Sequence, residues 1–303
     1  MYLTKRQLKL LTYIVTVNKI QVTELADNME TSRSYTSRVM KELQSKGFIN
    51  INREGTRKTA TVADTQHAVS LRNLILNQPH LNLGFLANKG MIILATIDCL
   101  NLRTWEEIEE YSGASFVTLR KYMTEFKEIG LVQKRKVYFI SPRFSALKEF
   151  LGAYQDYTHL KEALRYAPDA LVKWGCGERF LIETERTLNL QATGITAFPT
   201  YGAKFITVKN LYIHTKKESN TTIEDHLINH VLSEKTSNML PLLITWRMNY
   251  KRVNEESMRE KAYRYKIREP VDAVIKYLKT QGRDRPQILP EWNEFNERYR
   301  EYV

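Results

Sequence analysis

Cysteine is scarce in this chain. Cys99 and Cys176 are the only two among 303 residues, and they lie in unrelated sequence contexts. That leaves no disulfide framework, and both are expected to be reduced, Cys99 as a small apolar residue within a helical run. The six histidines are scattered, and no set of residues has metal-ligand spacing, so the reading includes no metal and no cofactor. Long apolar runs are missing as well. The longest, such as 91–97 and 239–244, fall far short of the ~20 residues that a membrane helix needs. The start, Met1-Tyr2-Leu3-Thr4, passes at once into a helical pattern and lacks the apolar stretch of a signal peptide. Together these absences predict a cytoplasmic protein with no membrane partner. Acidic residues are in deficit, 34 against 46 lysines and arginines, and the net charge of +12 favours an anionic partner, most commonly nucleic acid. The hydrophobic share of 43% is ordinary for a globular chain, and the length allows two or three domains with real cores.

The most informative stretch runs from Val22 to Val62. Val22–Asn28 reads as a short helix and Met29–Thr31 as a turn. Ser32 is the expected N-cap of a longer helix to about Lys46. On it Thr36, Met40 and Leu43 are spaced i, i+4, i+7 and share one face, while Arg33, Ser34, Tyr35, Ser37, Arg38 and Lys41 fall largely on the others. Gly47 stops the helix. Two alternating runs, Phe48–Asn52 and Thr59–Val62, are joined by a polar turn holding Arg53, Arg57 and Lys58, the pattern of a β-hairpin with a basic tip.

Helix, turn, helix and basic hairpin follow each other as in a winged helix-turn-helix. The segments Glu24-Leu25-Ala26, Ser32-Arg33-Ser34-Tyr35-Thr36-Ser37-Arg38, Lys41-Glu42-Leu43 and Lys46-Gly47-Phe48-Ile49 resemble the MarR-like winged-helix regulators. The resemblance implies that the Ser32–Lys46 helix enters the major groove and that the hairpin flanks it along the backbone or minor groove. The chemistry agrees with that expectation. Hydroxyls and guanidinium groups near a helix N-terminus reach base edges and phosphates, and Arg57 and Lys58 can meet phosphate charge.

An internal repeat extends the pattern. At a constant offset of 83, Leu11 aligns with Leu94, Ser32 with Ser115, Met40 with Met123, Leu43 with Phe126 and Gly47 with Gly130. Thr104 and Glu107 add a capping-box signature. Val132–Ile140, with Lys134, Arg135 and Lys136 at its middle, reads as a shorter wing. Two tandem winged helices are therefore expected, at 1–65 and 88–143, with 64–87 a less periodic connection interrupted by Pro79. The second could reach DNA through Arg120, Lys121 and its basic wing, or serve as a packing module, since Glu125 and Glu128 dilute its charge and Phe116 suits water poorly. Both readings stand.

The helix at 145–165 carries a broad apolar face including Phe150, Tyr154 and Tyr157, suited either to an interdomain or dimer contact or to its own subunit's core. From 170 to 303 the sequence predicts an α+β domain for assembly or sensing: three or four strands rich in β-branched and aromatic residues, then five helices from about Thr222. Leu240–Leu243 is a further candidate for dimer contact.

Domain order, the stretch Ile195-Thr196-Ala197-Phe198-Pro199-Thr200-Tyr201-Gly202 and Ile223-Glu224-Asp225 loosely resemble nucleotidyltransferase-like and abortive-infection antitoxin proteins of the AbiEi type. A nucleotidyltransferase holds divalent metal on two strand carboxylates two residues apart. Glu183 and Glu185 have that spacing, with Asp225 a conceivable third, but they are glutamates and no serine follows the glycine of Gly175-Cys176-Gly177. His226 and His230, i and i+4, lack an intervening general-base glutamate and read as partly buried helix residues. The sequence thus predicts an α+β chain that binds double-stranded DNA as a homodimeric transcription regulator and is not an enzyme. The alternative is a nucleotidyltransferase-like or other nucleic-acid-modifying enzyme with winged-helix substrate-binding domains, or an antitoxin-type regulator.

Overall fold

The computed structural model describes residues 2–55, 57–215, 221–235 and 237–302. Thr56, inside the expected basic turn, and the stretch around Ser219 where helices were expected to resume lie outside the described residues. Helix outweighs strand, 56% to 13%, and every strand pairing among the described residues is antiparallel, as in an α+β chain. It divides into two compact units, Met1–Asp98 with Arg103–Thr158, and Cys99–Leu102 with His159–Val303.

The first unit opens with α1 (Lys5–Val17). Thr4 caps it reciprocally with Gln7, and Leu8, Leu11, Ile14 and Val15 form the buried stripe. A strand that periodicity could not reveal, β1 (Lys19–Gln21), leads into α2 (Val22–Asn28) and α3 (Arg33–Ser45). Ser32 caps α3 by accepting from Tyr35 N–H at 3.2 Å, and Thr36, Val39, Met40 and Leu43 are buried. Gly47 ends the helix at φ +74°, and a Cβ there would lie 2.8 Å from the Tyr157 hydroxyl, so glycine serves both the turn and the close approach. β2 (Ile49–Glu54) and β3 (Arg57–Val62) follow, and β1 adds to the far edge of β3.

The less periodic connection expected at 64–87 is largely helical. In α4 (Gln66–Asn77) His67, Leu71, Leu74 and Ile75 are buried at i, i+4, i+7 and i+8. The stripe is hidden in the sequence because its first member is a histidine, buried here by a bond to the Lys46 carbonyl at 3.0 Å and by stacking on Tyr157 at 4.0 Å. Next come α5 (Gly90–Cys99), α6 (Trp105–Ser112), α7 (Phe116–Glu128) and the short hairpin of β4 (Val132–Lys134) and β5 (Tyr138–Ile140). The capping box of Thr104 and Glu107 starts α6, and Ser115 caps α7 as Ser32 caps α3.

The long helix α8 (Ser145–Tyr166) contributes residues to both units. Of its two readings, burial in the chain's own core holds for the aromatic face. Phe150 and Tyr154 are buried, Tyr154 stacks on Phe48 at 6.1 Å, and Tyr157 covers His67. Phe150 and Tyr154 are thus spent on intramolecular packing.

In the second unit β6 (Leu171–Cys176), β7 (Arg179–Thr184), β8 (Gln191–Ala192) and β9 (Asn210–His214) form one sheet in the order β6-β7-β9-β8. Period-2 alternation on β7 splits its core. Phe180 and Ile182 join Ala163, Ala167 and Ala170, whereas Leu181 joins the larger helical core. That core is built by α9 (Ile223–Glu234), α10 (Leu240–Met248), α11 (Glu255–Arg264), α12 (Arg268–Thr280) and α13 (Trp292–Arg300). Leu242 and Leu243 are fully buried in it, which removes that stretch too as a dimer surface. The two cysteines, far apart in sequence, meet in this unit. The Cys99 thiol lies 4.0 Å from the Gly175 carbonyl, and burial together with the Cys99 thiol pushes Cys176 well above the ordinary thiol range.

Candidate nucleic-acid interface

Capping and the apolar stripe of α3 decide which of its side chains remain outside. Arg33, Ser34, Arg38 and Lys41 are exposed, and Tyr35 and Ser37 are half-buried. Ser37, Lys41 and Gln44 fall at i, i+4, i+7 and make one wall of a groove of about 120 Å³. The opposite wall comes from the hairpin, through Ile51, Arg53 and Lys58, with Val22 and Met40 completing the lining. Gln44 was not among the expected contact residues, although its spacing from Ser37 and Lys41 was sufficient to find it.

Hairpin register separates residues that sequence order puts side by side. Arg53 pairs with Lys58 and Glu54 with Arg57. Cross-strand partners share a face and sequence neighbours alternate, so Lys58 turns toward the groove with Arg53 while Arg57 turns away. Arg53 is further held by its Nε–H donating to the Gly55 carbonyl at 3.1 Å. Lys41, Arg53 and Lys58 therefore converge on a groove whose lining has no acid, and none of the three forms an ion pair among the described residues.

At the N-terminal end of α3, Tyr35 lies between two guanidinium groups. Arg6 is 5.4 Å and Arg38 5.2 Å from its ring centroid. The Tyr35 hydroxyl also holds the Arg6 guanidinium above its usual pKa through a hydrogen bond. Arg6 belongs to α1, and nothing in its own surroundings in the sequence marked it as a neighbour of α3.

On the second helical module Arg120, Lys121, Lys134, Arg135 and Lys136 are all exposed. Arg120 and Lys121 sit on α7, and the other three end β4 and form the turn before β5. Lys134 lies over Tyr138 at 4.8 Å and Arg135 over Phe139 at 5.8 Å. The start of α7 differs from that of α3 in presenting apolar groups: Phe116 is 48% and Val117 78% exposed.

Two of the three candidate carboxylates of the second unit, Glu183 and Asp225, are engaged elsewhere. Glu183 pairs with Lys173 and Lys209, each at 3.4 Å, and Glu185 lies just past the end of β7. Asp225 caps α9 and pairs with Lys261; burial opposes its charge, but Lys261 and the Thr222 N–H overcome that and hold the carboxyl below its ordinary range. His226 and His230 are buried more fully than expected. His226 bonds to Thr193 at 3.1 Å and Thr221 at 3.3 Å, and His230 to the Asn238 carbonyl at 2.8 Å.

With the groove between α3 and its hairpin in place, comparison with known families is informative. Residues 3–53 match the MarR family. The MarR-like region spans α1 to Arg53 on the first hairpin strand, so it includes both the helix and one side of the hairpin that form the basic groove. Residues 187–303 match a family described as HVO_2833_C, C-terminal, which covers β8, β9 and all five later helices; that description names neither an antitoxin nor a nucleotidyltransferase. No curated protein and no solved structure matches the chain. No helix among the described residues is long and apolar enough to cross a membrane.

Proposed function

We propose that the chain is a sequence-specific, double-stranded DNA-binding transcription regulator that acts as a homodimer from the cytoplasm. In this reading α3 enters the major groove, where Ser34, Ser37, Arg38 and Gln44 meet base edges, and Arg6, Lys41, Arg53 and Lys58 take phosphates. The observation that carries it is the convergence of Lys41, Arg53 and Lys58 on one acid-free groove. Placing like charges opposite each other on a hairpin costs stability, ~0.2–1 kcal/mol, and that cost is offset when an anion lies between them. The groove is too small for an organic ligand but has the lining a phosphate backbone needs. The MarR match, which includes Lys41 and Arg53 and ends before Lys58, supports the same reading.

The order of three helices and a hairpin from α5 to β5 belongs to this proposal as a second winged helix with a weaker DNA contact through Arg120, Lys121 and its basic turn. Pairing of two chains would place two copies of α3 on half-sites ~34 Å apart. With Phe150 and Tyr154 of α8 buried, Leu160 and Leu164, one turn apart and 43% and 47% exposed on the same helix, are candidates for such pairing.

Selection from a random duplex library by the full-length protein, followed by sedimentation of the complex, tests this reading. The expected result is a palindromic site bound by two chains. Binding without sequence preference, a one-to-one complex on a single site, or metal-dependent transfer of labelled nucleotides would each overturn the corresponding part.

A further inference from the structure

Helices α3 and α7 begin alike and then part. Ser115 caps α7 as Ser32 caps α3, but where α3 has exposed Arg33 and Ser34, α7 has exposed Phe116 and Val117. The first two positions of α7 therefore have no side-chain donor for a base edge, and they leave an aromatic and a β-branched group in water. Phe116 is held in position. Its ring lies 5.7 Å from that of half-buried Trp105, the first residue of α6, at a tilt of 49°. Lys127 in turn lies 5.5 Å from the Trp105 centroid. Phe116 is thus backed by a second ring and a cation, with nearly half of its surface open to solvent.

Cations lie beside this platform. Arg120 and Lys121 follow Phe116 and Val117 one helical turn later, and Lys134, Arg135 and Lys136 form the basic turn of the β4–β5 hairpin. All five are exposed, and none forms an ion pair among the described residues. The turn is within electrostatic reach of the platform. The carboxyl of Glu106, next to Trp105, is held below its ordinary range by its own N–H, by Thr104 and by the charge of Lys134. The acids of α7 itself, Glu125 and Glu128, lie ~14 Å or more along the helix from Phe116, at 1.5 Å per residue.

We infer that this surface binds single-stranded DNA, with an unpaired base stacked on Phe116 and the flanking phosphates taken by Arg120, Lys121 and the β4–β5 turn. The cations alone would suit any polyanion. The aromatic ring among them selects an anion that also carries an open π-face, which a base has in a single strand and lacks inside a duplex. Such binding extends the DNA-binding reading above, on which it rests, from paired to unpaired strands.

Fluorescence anisotropy of the full-length protein tests the site with three probes. These are a labelled oligothymidylate of about 12 nucleotides, an abasic strand of equal length and charge, and the selected duplex. Oligothymidylate should bind at least ~10-fold tighter than the abasic strand, as one stacked base requires. Phe116→Leu keeps an apolar side chain without a π-face and should erase that preference, whereas Phe116→Trp should keep it. Arg120→Gln/Lys121→Gln should retain the preference but lower the salt slope by ~1.4, at ~0.7 per contact on a single strand. Equal affinity for the two strands, the same behaviour from Phe116→Leu and Phe116→Trp, or an unchanged slope for the cation variant would each overturn the site. Phe116→Leu should also cost the single strand at least ~10-fold more affinity than it costs the duplex; equal losses would place Phe116 against paired DNA and overturn the site too. Duplex binding without any preference for oligothymidylate sinks this site alone. The preference without any duplex binding sinks the reading of α3 and leaves the site standing.

Discussion

Replacing both Arg53 and Lys58 with glutamine should move function and stability in opposite directions. The two residues face each other across the hairpin and line the groove with Lys41. If each meets one phosphate, the double substitution removes two contacts and lowers the slope of log K against log salt by ~1.8, at ~0.9 per contact. Between 50 and 200 mM salt the wild type should then lose ~12-fold more affinity than the variant. In the free protein the same change removes a like-charge cross-strand pair, worth ~0.2–1 kcal/mol. Amide exchange in β2 and β3 should accordingly slow by ~1.4- to 5-fold where it proceeds through local opening. Arg57→Gln is the control, because register turns Arg57 to the other face of the hairpin. Fluorescence anisotropy across a salt series and hydrogen exchange on the free proteins give the two readouts. Equal slopes for wild type and double variant, or an Arg57→Gln slope reduced as much as that of Lys58→Gln alone, would refute the placement of the groove against DNA.

Other consequences follow from the same geometry. Arg38→Ala should cost ~1–3 kcal/mol of binding and relax specificity at one base pair, whereas Lys41→Ala should weaken all sequences alike; matched losses on specific and random duplexes for both would defeat the assignment of Arg38 to a base. Burial pushes the His159 pKa down to about 4, while its bond to the Gly177 carbonyl at 3.0 Å stabilises the ring in place. Between that value and the ordinary ~6.5 the unfolded chain binds the extra proton. Stability should therefore be complete above pH 6.5 and fall by ~3 kcal/mol as the pH drops toward 4, with buried His226 and His230 adding in the same direction. Denaturant unfolding followed through Trp174, Trp246 and Trp292 reads that unit, and a flat profile would contradict the buried state of His159. In the folded protein Cys176 should resist alkylation and react only on unfolding, with half-buried Cys99 the faster thiol; prompt labelling of Cys176, read by mass spectrometry, would contradict its burial.

The sequence by itself determined the local grammar of the chain. Ser32 as a cap, the Thr36–Met40–Leu43 stripe, Gly47 as the stop and the capping box of Thr104 and Glu107 all depend on groups within a few residues of one another, and all are present as read. Helical periodicity and turn chemistry are local forces, so α3 and its hairpin were legible together with most of their outward residues. Other features depended on what lies across the fold. β1 is three residues long and is a strand only because β3 pairs with it. Helix α4 was masked by a histidine whose burial depends on Lys46 and Tyr157. The aromatic face of α8 was equally suited to a partner or to its own core, and the positions of Phe48 and His67 decided it. Arg6 joins Tyr35 and Arg38 through helix packing, and Arg57 parts from Lys58 through strand register. Composition supplied the positive charge of the chain. Only tertiary packing chose which cations share a groove, because that depends on inter-element distances that side-chain periodicity along a single element does not encode.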